Sequence, residues 1–241
     1  MAWQPTNTVE EERLHKIEAL RGRGVDPYPA RVERSHTAAQ AIAAFEAIEG
    51  QEGVSTSVVV CGRIRRVNLT GKIAFMHIED ESGRVQLFLR INDLGEETFK
   101  LVSEKLVDTD DFVQASGEMM RTRAGEVSVR AITFKLLAKS LSPLPVIKQV
   151  TRDDGTVAEY GEFSDIETRY RQRYADLAVN KHIRDIFVKR SRITRAIRDF
   201  LDGLGFLEVE TPVLQPIYGG AAAKPFVTHH NQLHQDLYLR I

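Results

Sequence analysis

The sequence predicts an α+β chain in which a five-stranded β-barrel, preceded by helices, is followed by the beginning of a second, α/β unit. Three observations predict it. Apolar residues alternate with period two over most of residues 57 to 137, whereas the flanking segments repeat at helical spacing. A helical pattern interrupts the strands once, after the third, and two prolines end the run.

The N-terminal part is helical. From Thr8 through Leu14, Ile17 and Leu20, apolar groups lie at helical spacing among charged residues, and Gly22 and Gly24 stop the pattern. The spacing predicts a short, mostly solvated helix over 8–21. Asp26-Pro27-Tyr28-Pro29 leaves helical geometry because each proline restricts its predecessor. A second helix is predicted from Thr37 to Ile48, ending at Gly50.

Period two begins at Ser57. Val58, Val60 and Gly62 form one side of a first strand; Ala74, Met76 and Ile78 of a second; Val85, Leu87 and Leu89 of a third. Asp80-Glu81-Ser82-Gly83 is a hairpin turn between the last two. Phe99, Val102 and Leu106 then mark a helix over 95–107. Two further strands follow near 111–120 and 126–137, joined by a turn at Ala124-Gly125. Three strands, a helix and two strands is the order of an OB-fold, whose second and third strands bind oligonucleotides. Leu141-Ser142-Pro143-Leu144-Pro145 closes the barrel, and the polar stretch Arg152 to Phe163 reads as a linker loop. Helical patterns over 166–179 and 182–204 follow, the second carrying Ile186, Ile193, Ile197, Phe200 and Leu204 as a stripe, with Gly205 as its cap. Phe206 to Glu210 reads as a strand running into Thr211-Pro212. The expected divisions are 1–54 for the helical extension, 55–145 for the barrel, 146–181 for a linker and connector helix, and 182–241 for the second unit.

Composition narrows the function classes. Over 241 residues the net charge is −1 and 28% of residues are charged, which describes an ordinary soluble protein and not one whose bulk charge gathers DNA. Any nucleic-acid signal must be local. The one cysteine, Cys61, excludes an intrachain disulfide and a cysteine-built zinc cluster, and fits a cytoplasmic location. No secretory signal is expected at the N-terminus, and no apolar run is long enough to cross a membrane.

The barrel offers a local signal. Opposite its inward positions, the second and third strands place Phe75, His77, Gln86 and Phe88 on the outer face. Exposed rings beside an amide suit a base-reading platform, since a ring stacks on any base and an amide bonds an unpaired Watson–Crick edge. Arg63, Arg65, Arg66 and Lys72 add positive charge on the adjacent strand and loop with no carboxylate among them. Coverage of the aromatics by a helix, and simple solvation of the arginines, are the structural alternatives. A second basic run, Arg169, Arg171, Arg173, Lys181, Arg184, Lys189, Arg190, Arg192, Arg195 and Arg198, has only Asp176 and Asp185 within it, and reads either as a phosphate track or as solvated, ion-paired helix surface.

Other clusters are weaker. His229, His230, His234 and Asp236 do not predict a metal site, because adjacent strand residues point to opposite faces. Gly219-Gly220-Ala221-Ala222-Ala223 permits close backbone approach to a ligand but lacks a P-loop's Lys-Ser/Thr. Glu208 and Glu210 read as a charged strand face.

Several of these segments together resemble class II lysyl-tRNA synthetases. They are Gly71-Lys72-Ile73-Ala74-Phe75, Gly83-Arg84-Val85-Gln86-Leu87, Gly125-Glu126-Val127-Ser128-Val129, Tyr170-Arg171-Gln172-Arg173-Tyr174-Ala175-Asp176-Leu177 and Phe206-Leu207-Glu208-Val209-Glu210-Thr211-Pro212. The last is similar to class II motif 1, which implies a homodimer interface ending at Pro212. Gly219 to Phe226 followed by Thr228-His229-His230-Asn231 is the most lysine-specific element. The resemblance implies an OB-fold that recognises the anticodon of lysine tRNA, with Phe75 stacking on a uridine, Gln86 bonding the central base and Glu126 a neighbouring one; Arg65 and Arg66 are further candidates. It implies that Gly219, Gly220 and Ala221 lie against bound lysine at the start of a class II catalytic domain. It also implies ATP and magnesium as requirements of a full-length protein that joins lysine to its tRNA through lysyl-adenylate. Because motifs 2 and 3 would follow Leu237 to Ile241, the chain is expected to be a piece that binds tRNA, holds no cofactor itself and is inactive alone. A free-standing tRNA-binding module and an aspartyl-type relative are the alternatives.

Overall fold

The computed structural model describes residues 4–51, 53–145, 148–151, 157–160, 165–220 and 222–241, divided into one unit ending at Asp165 and a second from Ile166 to Ile241.

In the first unit, β1 (Ser57–Thr70), β2 (Ile73–Glu79), β3 (Arg84–Arg90), β4 (Phe112–Arg121) and β5 (Val127–Ala138) close into a barrel of order β1-β2-β3-β5-β4. The predicted α+β class and OB-type strand order are what the structure contains. Every pairing is antiparallel except β3 with β5, where Gln86, Leu87 and Phe88 lie beside Ser128, Val129 and Arg130. Alternation decides the interior. Val58, Val60, Ile64, Ala74, Met76, Ile78, Val85, Leu87, Leu89, Val113, Ala115, Val129 and Leu136 are all at most 2% exposed, and burying such side chains contributes about 1.5–3 kcal/mol each. β1 carries a bulge between Ile64 and Arg66. An extra residue there lets Ile64 face inward and still brings Arg66 opposite His77.

The segment between β3 and β4 is helical but broken. α3 (Ile91–Leu94) and α4 (Glu96–Ser103) meet at Gly95, whose φ of 81° no helix accommodates. The expected apolar face survives: Phe99, Val102 and Leu106 are buried. The hairpin turn is as predicted, with Asp80 Oδ1 accepting from the N–H groups of Ser82 and Gly83 at 2.8 and 3.1 Å. It also holds α2 (Ala38–Glu46), because Asp80 Oδ2 and Ser82 Oγ accept from the first-turn N–H groups of Ala38 and Ala39. Burial raises the Asp80 carboxyl, but these hydrogen bonds outweigh it and hold the group below its ordinary value.

α1 (Thr8–Gly22) is less solvated than its charge pattern predicts. Ile17 and Leu20 are buried, and so are Glu10 and Arg13. The guanidinium of Arg13 donates to the carbonyls of Ser140 and Thr109 at 2.9 and 3.1 Å, while Ser142 donates to Glu10 at 2.6 Å. Charged side chains are buried here because backbone carbonyls and hydroxyls satisfy them. Beside them the fully buried Lys139 ammonium bridges Asp108 and Asp111 at 2.5 and 2.7 Å. The supposed linker loop is partly strand: β6 (Lys148–Thr151) pairs with β7 (Val157–Tyr160), while 152–156 and 161–164 lie outside the described residues.

The second unit begins with α5 (Ile166–Arg171) and α6 (Arg173–Val179), separated at Gln172, whose ψ of 53° is not helical. α7 (Lys181–Gly203) follows, and Gly205, at φ 84°, ends it: its N–H bonds the Asp202 carbonyl and that of Phe206 bonds Leu201. The apolar stripe of α7 is open, with Ile193, Ile197, Phe200 and Leu204 each more than half exposed. The strand expected over 206–210 does not form. Among the described residues no strand runs alongside it to supply hydrogen-bond partners, and Leu207 is 88% exposed. Sheet structure appears later, as β8 (Leu214–Gln215), β9 (Val227–His230) and β10 (Gln235–Leu239) in the order β8-β10-β9.

Candidate nucleic-acid interface

Strand register arranges the outer face of β1, β2, β3 and β5 in rows. Arg66, His77, Gln86 and Ser128 are successive partners across the four strands, and Asn68, Phe75, Phe88 and Arg130 form the next row. Residues directly opposite on paired strands share a face, so aromatic and polar rows lie side by side.

In the aromatic row Phe75 and Phe88 have ring centroids 5.2 Å apart and planes tilted by 33°. Both rings are partly exposed. Beyond Phe88, Arg130 and Arg90 each engage Asp93 through two hydrogen bonds of 2.8 to 3.0 Å. The Arg130 and then the Arg90 guanidinium hold the Asp93 carboxyl well below the usual carboxylate range. One positive charge in excess remains at this end of the row.

The polar row is a closed hydrogen-bond system. Glu126 stands just before β5, on the turn from β4, where Thr122 and Glu126 bond one another through backbone and hydroxyl and Gly125 adopts φ 88°. Arg121 braces the turn by donating to Gly125 O and, through two nitrogens, to Glu49. Glu126 Oε1 takes a 2.8 Å hydrogen bond from His77 Nε2, and Oε2 takes one of 2.5 Å from the Gln86 amide. Ser128 Oγ donates to the Gln86 carbonyl oxygen at 2.7 Å.

This alters the expectation for Gln86. Gln86 is 7% exposed because Glu126 and Ser128 cover its amide, so the hydrogen-bonded group beside it that is open to solvent is the Glu126 carboxylate, 47% exposed. Ser128 escaped attention in the sequence although the period-two spacing of Glu126, Ser128 and Arg130 carries the signal. The basic patch also changes. Arg65, at the bulge, lies 3.4 Å from Asp110 and 3.7 Å from Glu79; Arg63 donates to Asp110 O and packs over the Phe112 ring. Carboxylates distant in sequence supply the counter-charge. Arg66 remains exposed in the polar row with only a 3.4 Å contact to Asn68, and Lys72 is exposed in the β1–β2 turn.

In the second unit several members of the basic run are ion-paired. Arg169 and Arg173 bind the buried Asp176, Arg171 binds Glu167, and Arg198 binds Glu208. His229 bonds Asp236 at 2.7 Å across β9 and β10. Gly219 and Gly220 are exposed, Gly220 with φ 127°; Pro212 is exposed in the extended segment; Ala221 lies outside the described residues. No helix among the described residues is long and apolar enough to cross a membrane.

Residues 58–137 match the family of OB-fold nucleic acid binding domains, and residues 165–241 match the tRNA synthetases class II (D, K and N). The chain is 51% identical over 238 residues to the lysine–tRNA ligase of Roseiflexus castenholzii, covering 98% of this chain and 45% of that protein. It is 49% identical, with the same coverage, to the lysine–tRNA ligase of Roseiflexus sp. (strain RS-1). Over 241 residues it is 44% identical to that of Carboxydothermus hydrogenoformans, covering all of this chain and 46% of the relative. The chain therefore spans just under half the length of these relatives. With a nucleic-acid-binding barrel followed by class II synthetase sequence, and this likeness across nearly all its residues, the chain belongs to the lysine–tRNA ligase family.

Proposed function

We propose that the outer face of β2 and β3 reads the anticodon of a lysine tRNA on behalf of a lysine–tRNA ligase. The observation that carries this reading is the placement of Phe75 and the Gln86–Glu126 pair in adjacent rows of one face. An unpaired base stacks on Phe75, while the Glu126 carboxylate and the Gln86 amide address the Watson–Crick edges of its neighbours. Arg66, Lys72 and the Arg90–Arg130 end of the aromatic row face the phosphates, with Arg65 held back in its ion pairs.

The whole protein would join L-lysine to its tRNA in the cytoplasm through lysyl-adenylate, consuming ATP and releasing AMP and diphosphate. Gly219, Gly220 and Ala221 would pass close to the lysine, and the segment ending at Pro212, with the open stripe of α7, would meet a second subunit. Among the described residues no three His, Cys, Asp or Glu side chains are grouped to hold a metal ion.

The test is fluorescence anisotropy with an RNA stem-loop whose loop carries the three anticodon uridines, against the same stem with three adenosines. The uridine loop is expected to bind at least about tenfold tighter, the discrimination that well-placed base contacts supply. Equal affinity would exclude anticodon reading.

A further inference from the structure

We infer that His77 is a specificity-determining positioning residue, which fixes the Glu126 carboxylate so that its free lone pairs select an unpaired base presenting a ring N–H, uracil and not cytosine. The inference rests on the platform reading above and adds a residue and a chemical criterion to it.

The chemistry follows from which groups are already occupied. A carboxylate only accepts hydrogen bonds, so the hydrogen in the 2.8 Å contact belongs to His77 Nε2. The Gln86 amide occupies the other oxygen at 2.5 Å, and the Gln86 carbonyl is occupied by Ser128. Gln86 is thus buried and largely satisfied, whereas Glu126 has two of about four lone-pair sites in use and is half-exposed. What faces an incoming base is an acceptor of fixed direction. Uracil offers N3–H along that direction; cytosine has a lone pair at N3, which the carboxylate repels, and its N–H donors sit at the exocyclic N4, so an acceptor fixed on the ring position rejects it.

His77 is the part of this device that no other residue replaces. Its ring lies between Arg66 and Gln86 in the row, and Nδ1 is buried without a hydrogen-bond partner. The ring is therefore held by packing and by Nε2 alone, and its contact with solvent is small. Without it, Glu126 keeps one tether and can rotate about it. A rotating carboxylate still attracts donors but no longer rejects a base by direction.

The experiment uses the whole chain, the stem-loop with three anticodon uridines and three variants in which each uridine singly becomes cytidine. The unsubstituted chain should favour uridine over cytidine at one or more positions by about tenfold or more. His77→Ala should abolish that preference at one position only, leaving the preferences at the other positions intact. His77→Gln, whose amide N–H reaches the place of Nε2, should restore it. A merely structural role would instead lower affinity for all four loops together, and that result, or full discrimination by His77→Ala, overturns the inference. If the unsubstituted chain shows no preference at any position, the anticodon reading fails with it, so the two failures are distinguishable. Unfolding midpoints of the variants identify any that do not fold; Glu126→Gln then supplies the same readout, because its amide removes one acceptor oxygen, and retained discrimination there also overturns the inference.

Discussion

Phe75 and Phe88 are cross-strand partners on β2 and β3, and their ring centroids stand 5.2 Å apart on the outside of the barrel. Neither ring belongs to the buried core, where the same strands contribute Ala74, Met76, Leu87 and Leu89. Phe75→Ala is therefore expected to weaken stem-loop binding by about 1–3 kcal/mol, the range for one base–aromatic stack. The fold should persist. Anisotropy titrations beside a thermal melt separate the two effects, and unchanged affinity would refute the platform.

Ser128 makes a different prediction, because it is fully buried and acts on a buried partner. Ser128→Ala removes the donor to the Gln86 carbonyl and leaves that oxygen without its hydrogen bond. Stability should fall by about 1–3 kcal/mol, the cost of an unsatisfied buried polar group. A urea titration measures it, and an unchanged midpoint would mean that water replaces the hydroxyl.

Asp93 introduces a pH dependence at the edge of the aromatic row. Hydrogen bonds from Arg130 and Arg90 lower its folded-state pKa below the value in an unfolded chain. Its contribution to stability is complete above about pH 4, the ordinary range of an aspartate, and is lost as pH falls through the lower folded value. Asp93→Asn should be less stable than the parent at pH 6, and the gap should narrow progressively below pH 4. A gap independent of pH would show that the carboxylate's charge is immaterial.

Gly117 sits where the β4–β5 register shifts, and a Cβ placed there would come within 1.9 Å of the Arg130 carbonyl oxygen. Backbone, not a movable side chain, is in the way. Gly117→Ala should destabilise the barrel by at least about 1–3 kcal/mol, the usual cost of overpacking, and displace Arg130 from beside Phe88. Gly62→Ala meets Glu79 backbone at 3.0 Å and should be milder. Equal unfolding midpoints for Gly117→Ala and the parent would contradict the close approach.

The sequence by itself determined the order of strands and helix along the chain, the inward set of the first three strands from Val58 to Leu89 and the outward placement of Phe75, because a period of two leaves only two faces to choose between. It also located the turn at Asp80 and the glycine that ends α7, since both depend on local backbone conformation. Tertiary structure decided the rest. The bulge at Arg65 set which arginine joins His77, and parallel closure of β3 on β5 brought Ser128 and Glu126 to Gln86. Likewise Asp110 and Glu79 neutralised a patch that looked purely basic, and Gln86, though outward in the pattern, became buried. The expected strand at 206–210 stayed unpaired for the complementary reason: its propensity is local, but a strand exists only when a neighbour completes its hydrogen bonds. Alternation is a property of neighbouring residues; register, closure and charge pairing join residues tens of positions apart, and those contacts form only when the barrel closes.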